Sequence, residues 1–580
     1  MDNRRILGRF FETISLLILL FFIYIPFFWA VSTSFKGPQE WAARPPTIIP
    51  TNPTIANYLI QFQQLPREIY GSWYAAYGPA TPFIVNSLIV TVLTIFLTFG
   101  AALSMTYLSK ISRVISRMTP HFLFVDAIPK ISMAVGFLAL FTLIRGLYDS
   151  YYGLSIAYLA ETLGLAIITL RLFYESLPPD IEESMMLMGY GRFRAFISNF
   201  FSNCRTALLL AIFLTFVFSW QDFTYAIILT NFKSTVTVRL ASFTHEVGEL
   251  FGPRAALSIL IGVPALILTL ALFSRIKEYY PNVQLYEMTG SKKYPQPRTR
   301  SEPLASIPFL LLYITLLIAP FTMSGLYWFL LPSELPASQR LILQGVRYAE
   351  ALTSHQYLLS LLRSWIITAI TIASTVSAGL LTAYITVYEG GGWIRYLLFL
   401  TMIPLFIPPI VSGYIFRIIF YPSGPTEAFL ELLGIPKVTW LSDPAGALAA
   451  VITANVWSSI PFAVLIMYSG ARTVGREYWM SSMVMGAGRL RTFTSVIVPR
   501  LWRYILLTTL LVSIHTFEIF DIPYIMTFGG PGTATETVSF YIYNNAIKAG
   551  DAALSSALSV ITGAIQILYT YLLIYMLRRF

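Results

Sequence analysis

Charged residues are scarce in this sequence: they make up 12% of 580 residues, against about 25% in soluble globular proteins. Little of the chain can face bulk water, and a hydrophobic share of 56% shifts the expectation from several soluble domains to a polytopic membrane protein. Cysteine is nearly absent. One residue, Cys204, excludes an intramolecular disulfide and any CxxC metal site. The four histidines, His121, His245, His355 and His515, are scattered, so no metal site is expected. There is no G-x-x-x-x-G-K-[ST] and no Gly-Lys pair, hence no phosphate cradle of the Walker type. The formal charge of +11 would suggest nucleic acid on a soluble protein. Here the basic residues sit in short segments between apolar runs, where cytoplasmic loops collect Lys and Arg, so no nucleic-acid partner is expected.

What is present is a series of apolar runs of about 20 residues, each long enough to cross a bilayer as a helix. They fall near 12–34, 82–109, 119–146, 153–174, 206–231 and 255–275, then near 305–331, 359–387, 394–420, 446–468, 502–527 and 554–577. The first is too long for a signal-peptide core and lacks a small-residue cleavage site, so it reads as a retained span. The expected fold is all-α, with about twelve transmembrane helices in two six-helix modules, 1–276 and 304–580. A polar cytoplasmic linker, 277–303, joins them. Basic clusters (Arg4, Arg5 and Arg9; Lys110, Arg113 and Arg117; Arg472 and Arg476; Arg578 and Arg579) all fall on one face, the expected cytoplasmic one, which would hold both termini. A Pro-rich, aromatic segment, Lys36 to Pro79, with Tyr58, Tyr70, Trp73 and Tyr74, falls on the other face. It reads either as a cap over a pathway or as a loop with its own packing.

The loops between spans 4 and 5 and between spans 10 and 11 repeat one pattern, M-x-M-G-x-G-R-x-R-x-F, around Gly189 and Gly486. Each glycine ends a run of helix formers, so each loop reads as a short helix, a turn and a second segment entering the next span. Two equivalent protrusions suit docking of two copies of a soluble partner. A re-used loop carrying only positive-inside arginines is the other reading.

These loops resemble the EAA loop of ABC importer permeases, E-A-A, three residues, G, nine residues, I-x-L-P. Gly486 is followed at that spacing by Val496, Val498 and Pro499, with Ser481 and Ser482 in the alanine places and Met480 in place of the glutamate. In the first copy Glu183, Ser184 and Met185 stand at the E-A-A positions, while Asn199, Phe201 and Ser202 replace I-x-L-P. Pro53-Thr54-Ile55-Ala56-Asn57-Tyr58, Trp440-Leu441-Ser442-Asp443-Pro444 and the run Phe520-Asp521 through Thr527 to Gly529-Gly530-Pro531 resemble the maltose-type carbohydrate branch. Trp220-Gln221-Asp222-Phe223 is similar to its smaller permease. The resemblance implies the type I ABC importer permease fold, with a smaller and a larger permease fused in one chain of a bacterial or archaeal plasma membrane. It also implies two ABC ATPase partners that use ATP and Mg, an external or periplasmic binding protein, and a carbohydrate solute. No cofactor is expected on this chain, and it would not be an enzyme. The expected coupling residues are Glu183, Ser184, Gly189, Arg192, Arg194, Met480, Ser481, Gly486, Arg489 and Arg491, with the loops unequal and Glu183 the more sensitive position.

Charges inside spans are functional candidates by default. Asp126 and Lys130, four apart, read as a neutralising pair within span 3, whereas Glu161 and Arg363 have no evident partner. His515, Glu518 and Asp521 recur every three residues and read as one helix face, His515 as a hydrogen-bonded interface residue. Either they form a polar seam between helices or, with aromatic Phe517 and Tyr524, they line a sugar pathway. Trp220, Asp222, Tyr543 and Asn544 complete the expected pathway set. Fused ferric-iron or polyamine permeases, and more distantly a six-plus-six secondary transporter, remain alternatives.

Overall fold

The computed structural model describes residues 2–41, 43–66, 78–112, 115–116, 128–175, 177–178, 180–242, 250–279, 307–309, 311–312, 314–330, 336–389, 401–422, 424–435 and 438–579. Asp126, Tyr70, Trp73, Tyr74 and the expected linker beyond residue 279 lie outside them. Among the described residues every regular element is helical, as a backbone in hydrocarbon requires when it must satisfy its own hydrogen bonds.

The first half comprises α1 (Asp2–Ser34), α2 (Thr81–Ile111), α3 (Lys130–Leu143), α4 (Tyr151–Glu175), α5 (Asp180–Leu187), α6 (Arg192–Asn203), α7 (Arg205–Gln221), α8 (Thr224–Leu229), α9 (Val236–Ser242) and α10 (Phe251–Tyr279). The second comprises α11 (Ala319–Leu330), α12 (Ala337–Thr353), α13 (His355–Ala383), α14 (Pro409–Phe420), α15 (Pro444–Val474), α16 (Glu477–Val484) and α17 (Arg489–Arg500, with a π turn over Phe493–Ile497). It continues with α18 (Trp502–Phe517), α19 (Asp521–Met526), α20 (Val538–Tyr543) and α21 (Ala552–Arg579). Eight described helices are long and apolar enough to cross a bilayer, or up to 10 if each bent pair counts as one span. Expected spans 3 and 9 are described only in part, as α3 and α14.

Local chemistry explains the boundaries. The Asp443 carboxylate accepts from Gly446 N at 2.7 Å and Pro444 takes the first turn, which starts α15 sharply. Ser354 caps α13 through Tyr357 N at 3.3 Å. The inward faces of α2 and α13 are stripes of small and hydroxyl residues: Ser87, Thr91, Thr94 and Thr98 on one, Ser364, Thr368, Thr371 and Thr375 on the other. Large apolar side chains such as Val92 and Phe96 face outward. Helices pack this way where lipid replaces water and close backbone approach stabilises contact.

Two expected spans are not continuous. The run 206–231 breaks after Gln221, and 502–527 breaks after Phe517. At the first break the Asp222 carboxylate accepts from Tyr225 N (3.1 Å) and Ala226 N (3.3 Å), which stops one helix and starts the next. At the second, Pro523 sits in the first turn of α19, where its missing N–H costs nothing. His515, Glu518 and Asp521 therefore do not share one helix face. An apolar count does not register one polar residue that redirects the backbone.

The halves are interlocked. α11 of the second half packs on α3 of the first, while α1 of the first packs on α14 of the second. Ile23 O accepts from Trp457 Nε1 of α15 at 3.1 Å. At Gly136 a Cβ would fall 1.7 Å from Pro320 O, so the α3–α11 contact needs a residue without a side chain. Gly136→Leu should cost about 3 kcal/mol or more by overpacking. Gly262→Ala, whose Cβ would meet only Ile407 Cγ1 at 4.0 Å, should be near neutral. Thermal unfolding in detergent checks this; equal midpoints would contradict the close α3–α11 contact.

Candidate functional site

Two constructions recur in both halves: an elbow and an intramembrane break. In the first elbow, Gly189 N bonds Met186 O (3.0 Å) and Tyr190 N bonds Met185 O (3.1 Å). In the second, Gly486 N bonds Met483 O (3.1 Å) and Ala487 N bonds Ser482 O (3.1 Å). This paired closure is a Schellman helix stop. Both glycines take positive φ, 89° and 86°, and nothing lies within 4 Å of where a Cβ would sit. Backbone conformation alone therefore requires glycine at these positions.

Each elbow presents an apolar tip. Leu187 is 89% exposed beside Met188, and Val484 is 87% exposed beside Met485. Of the residues expected here, Glu183, Ser184, Arg192, Arg194, Met480, Ser481 and Arg491 are exposed, and Arg489 is half-buried. Arg194 lies over the Tyr190 ring at 5.1 Å. The roots differ. Glu182, one residue before the position singled out by sequence, pairs with Lys110 and accepts from Tyr174 Oη at 2.6 Å. The second root replaces that pair with rings: Trp479 packs on Tyr388 (5.4 Å) and Tyr384 (5.6 Å). A shared contact underlies both, Tyr107–Phe196 at 5.1 Å and Tyr384–Phe493 at 5.0 Å.

From each elbow the chain turns sharply into the membrane, by 81° from α6 to α7 and by 68° from α17 to α18. Those helices end at the breaks, where the halves meet. Phe223 and Phe520, equivalent residues just before α8 and α19, stack at 5.8 Å with 19° between planes. The next residues bond each other: Thr224 Oγ1 donates to Asp521 Oδ1 at 2.9 Å. The supports also repeat. Val236 N donates to Ser87 Oγ at 2.9 Å and Val538 N to Ser364 Oγ at 3.0 Å.

Beside the stack lies an ionic group. The Lys130 ammonium pairs with Glu161, and Lys130 N donates to Glu518 Oε2 of the other half at 2.6 Å. The pairing of Lys130 with Asp126 expected from spacing involves a residue outside the described ones, and Glu161, for which spacing offers no partner, has one. The partner Glu161 finds is across helices, on α3. Arg363 gains Thr533 Oγ1 at 3.2 Å. His515 stacks on Phe462 at 5.8 Å instead of hydrogen bonding.

Of the expected pathway residues, Asp222, Glu518, Asp521 and Tyr524 meet at this junction; Tyr524 lies 5.1 Å from Phe223. Tyr543 packs on Phe520 at 5.0 Å. The others turn away. Trp220 donates to Ile261 O at 2.8 Å within its own half. Phe517 packs on Trp365 at 4.8 Å. Asn544 donates at 2.9 Å to Glu536, which also binds Gln356. Thr224 was missed; only its place one residue after Phe223, matching Asp521 after Phe520, singles it out. Among the described residues no three His, Cys, Asp or Glu side chains gather to hold a metal.

Comparison with known proteins matches residues 375–579 to the family described as "Binding-protein-dependent transport system inner membrane component". The trehalose/maltose transport system permease protein MalF of Thermococcus litoralis is 27% identical over 271 residues, 46% of this chain and 90% of the relative. A probable ABC transporter permease protein of Sinorhizobium fredii, y4oQ, is 30% identical over 260 residues, 44% of this chain and 82% of the relative. The sulfoquinovosyl glycerol transport system permease protein SmoG of Agrobacterium fabrum is 33% identical over 178 residues, 30% and 58% respectively. A solved bacterial ABC transporter that imports alginate aligns with 48% of this chain and 96% of its own, at 16% identity and a TM-score of 0.40.

Breaking the Lys130–Glu161 pair from one side should cost about 3–5 kcal/mol, because a buried charge loses its partner. Lys130→Met should therefore be strongly destabilised, and the double variant with Glu161→Leu should recover most of the loss. A double-mutant cycle on thermal midpoints reads this. Strict additivity would show that the two side chains do not interact.

Proposed function

We infer the mechanism from membership: this chain belongs to the family of ABC-transporter permeases, the inner-membrane components of binding-protein-dependent transport systems. It is a multi-pass membrane permease and not an enzyme. We propose that it is two permeases in one chain, 1–276 and 304–580, joined by a linker at 277–303. Two observations support this. Each relative aligns with less than half of this chain but up to 90% of itself, and elbow, bend, break and support recur in both halves. The solute is a sugar or oligosaccharide, as the names of the maltose and sulfoquinovosyl glycerol relatives suggest.

The elbows face the cytoplasm with both termini and each receives one ATPase subunit, which binds and hydrolyses ATP with Mg; this chain binds no cofactor. An external binding protein delivers solute to the opposite face. The observation that carries the mechanism is the direct connection between tip and junction. Leu187 and Val484, exposed on the two tips, are each linked through one bent helix pair to Phe223 and Phe520, which stack on each other. When the ATPases close, α6–α7 and α17–α18 move as rigid levers and the stack parts. This is switching between two packed states, biased only by the partners' differential affinity for them.

Gly189→Val and Gly486→Val should each strain the turn by roughly 1–2 kcal/mol, the left-handed penalty of a side chain. In proteoliposomes with the cognate ATPase and binding protein, hydrolysis should continue while uptake falls about tenfold or more, the scale of a 1.4 kcal/mol bias. Full uptake by both variants, or uptake by this chain without an ATPase, would sink the mechanism.

A further inference from the structure

The aromatic group at the junction does not end at the Phe223–Phe520 stack. Tyr524 lies 5.4 Å from Phe520 and Phe528 lies 5.1 Å from Tyr524. Phe540 and Tyr543 complete the group, at 5.6 Å from Phe528 and 5.7 Å from Tyr524 respectively. α18 runs from the second elbow to the break, and α21 packs on it and runs back, so residues 527–551 lie at the end away from the elbows. The rings therefore form a column from that end down to the stack. Burial follows depth: Phe528 and Tyr524 are half-buried, Phe520 and Phe223 fully buried. A cation covers the outer end. Lys548, exposed on the π turn Asn544–Lys548, sets its ammonium 3.6 Å from the Phe528 centroid, and 5.4 Å and 5.9 Å from those of Phe540 and Tyr543.

The first half shows that the fold does not need these rings. α8 starts after Phe223 as α19 starts after Phe520, each six residues long, and the Ser87 and Ser364 supports put Val236 in register with Val538. In that register Ile227 stands for Tyr524, Asn231 for Phe528, Val238 for Phe540 and Ala241 for Tyr543. The same break and return are built there without a ring at any of the four positions. Phe528 is moreover held at a positive φ of 54°, a strained conformation for a residue with a side chain. Its surroundings fix it there: Phe528 N donates to Pro523 O at 2.9 Å, the Thr527 and Thr535 hydroxyls bond at 2.6 Å, and Arg417 donates to Ile525 O at 2.8 Å. A strained backbone, and a column that the other copy of the repeat omits, point to a ring presented for a ligand.

The negative ring face that attracts an ammonium also attracts the C–H face of a pyranose, and Phe528 cannot give one face to both. Resting on the sugar-importer reading, we propose that Lys548 is a latch on the outer end of the column. Its ammonium holds the Phe528 face until a saccharide ring takes its place, so arrival of solute and release of Lys548 are one exchange. The released ammonium keeps a counter-charge. Glu536, which accepts from Gln356 and Asn544 and also attracts Arg363, interacts with it electrostatically. The exchange thus costs one cation–π contact and strands no charge.

The test is equilibrium binding of labelled maltotriose to the permease–ATPase complex in nanodiscs, without nucleotide or binding protein. Lys548→Met should bind about two- to fivefold tighter than the unmodified chain, the equivalent of one exposed cation–π contact. Loss of a merely structural contact would weaken binding instead. Lys548→Arg, which keeps a cation on the ring, should not gain. In a Phe528→Ala background Lys548→Met should leave affinity unchanged, because no ring face is left to contest. A second readout needs no variant: maltotriose should raise the acetylation rate of Lys548 about twofold or more, read by mass spectrometry against Lys233, which lies over Tyr151 outside the column. No gain from Lys548→Met, or a gain that persists without the Phe528 ring, would overturn the latch. Should that variant fail to assemble, unchanged acetylation of Lys548 overturns it. Either result leaves the sugar reading intact as long as the unmodified complex binds maltotriose. Binding by none of these proteins would take the sugar reading down as well.

Discussion

A charge inside a bilayer must find its partner within the protein, and the organisation of this chain follows from where that partner lies. Lys130 finds Glu161 on a neighbouring helix and offers its backbone N–H to Glu518 of the other half. The two breaks, the aromatic stack and the Thr224–Asp521 bond collect around it. Without polar closure there, two discontinuous helices would leave main-chain groups facing hydrocarbon, at several kcal/mol each by the usual estimate. The junction is thus both the meeting place of the halves and the condition for their helices to stop inside the membrane.

The repeat is deeper than its sequence trace. Gly189 and Gly486 share a helix stop, Tyr107 and Tyr384 share a ring contact, and Ser87 and Ser364 support equivalent backbone amides. The differences matter as much. One elbow root is an ion pair with Glu182 and the other a stack on Trp479. Pairwise chemistry at the roots differs between the two copies, while the helix stop, the ring contact and the backbone supports are the same.

The fold class was legible because hydropathy reports burial in lipid directly, and most long apolar runs became helices close to their expected bounds. The elbows were legible because a glycine ending a helix is a local event. The junction was only half legible. Asp222, Glu518, Asp521 and Tyr524 drew attention as polar or aromatic residues within apolar runs, and they do converge. Trp220, Phe517 and Asn544 shared that signature but point elsewhere, because side-chain direction after a helix break is not carried by periodicity. The Lys130–Glu161 partnership lay beyond reach for a related reason. Spacing along one helix proposes neighbours one turn away, whereas this pair joins two helices through tertiary packing.

Interlocking has a consequence for manufacture. α3 is covered by α11, whose Pro320 rests against Gly136, and α1 lies against α14 and receives the indole N–H of α15. A ribosome finishes residues 130–143 long before it reaches 319, so the first half enters the bilayer with one flank waiting for a helix not yet made. Each half keeps the other's place, and a chain halted midway would leave Gly136 and its small-residue surface open to whatever helix drifts past.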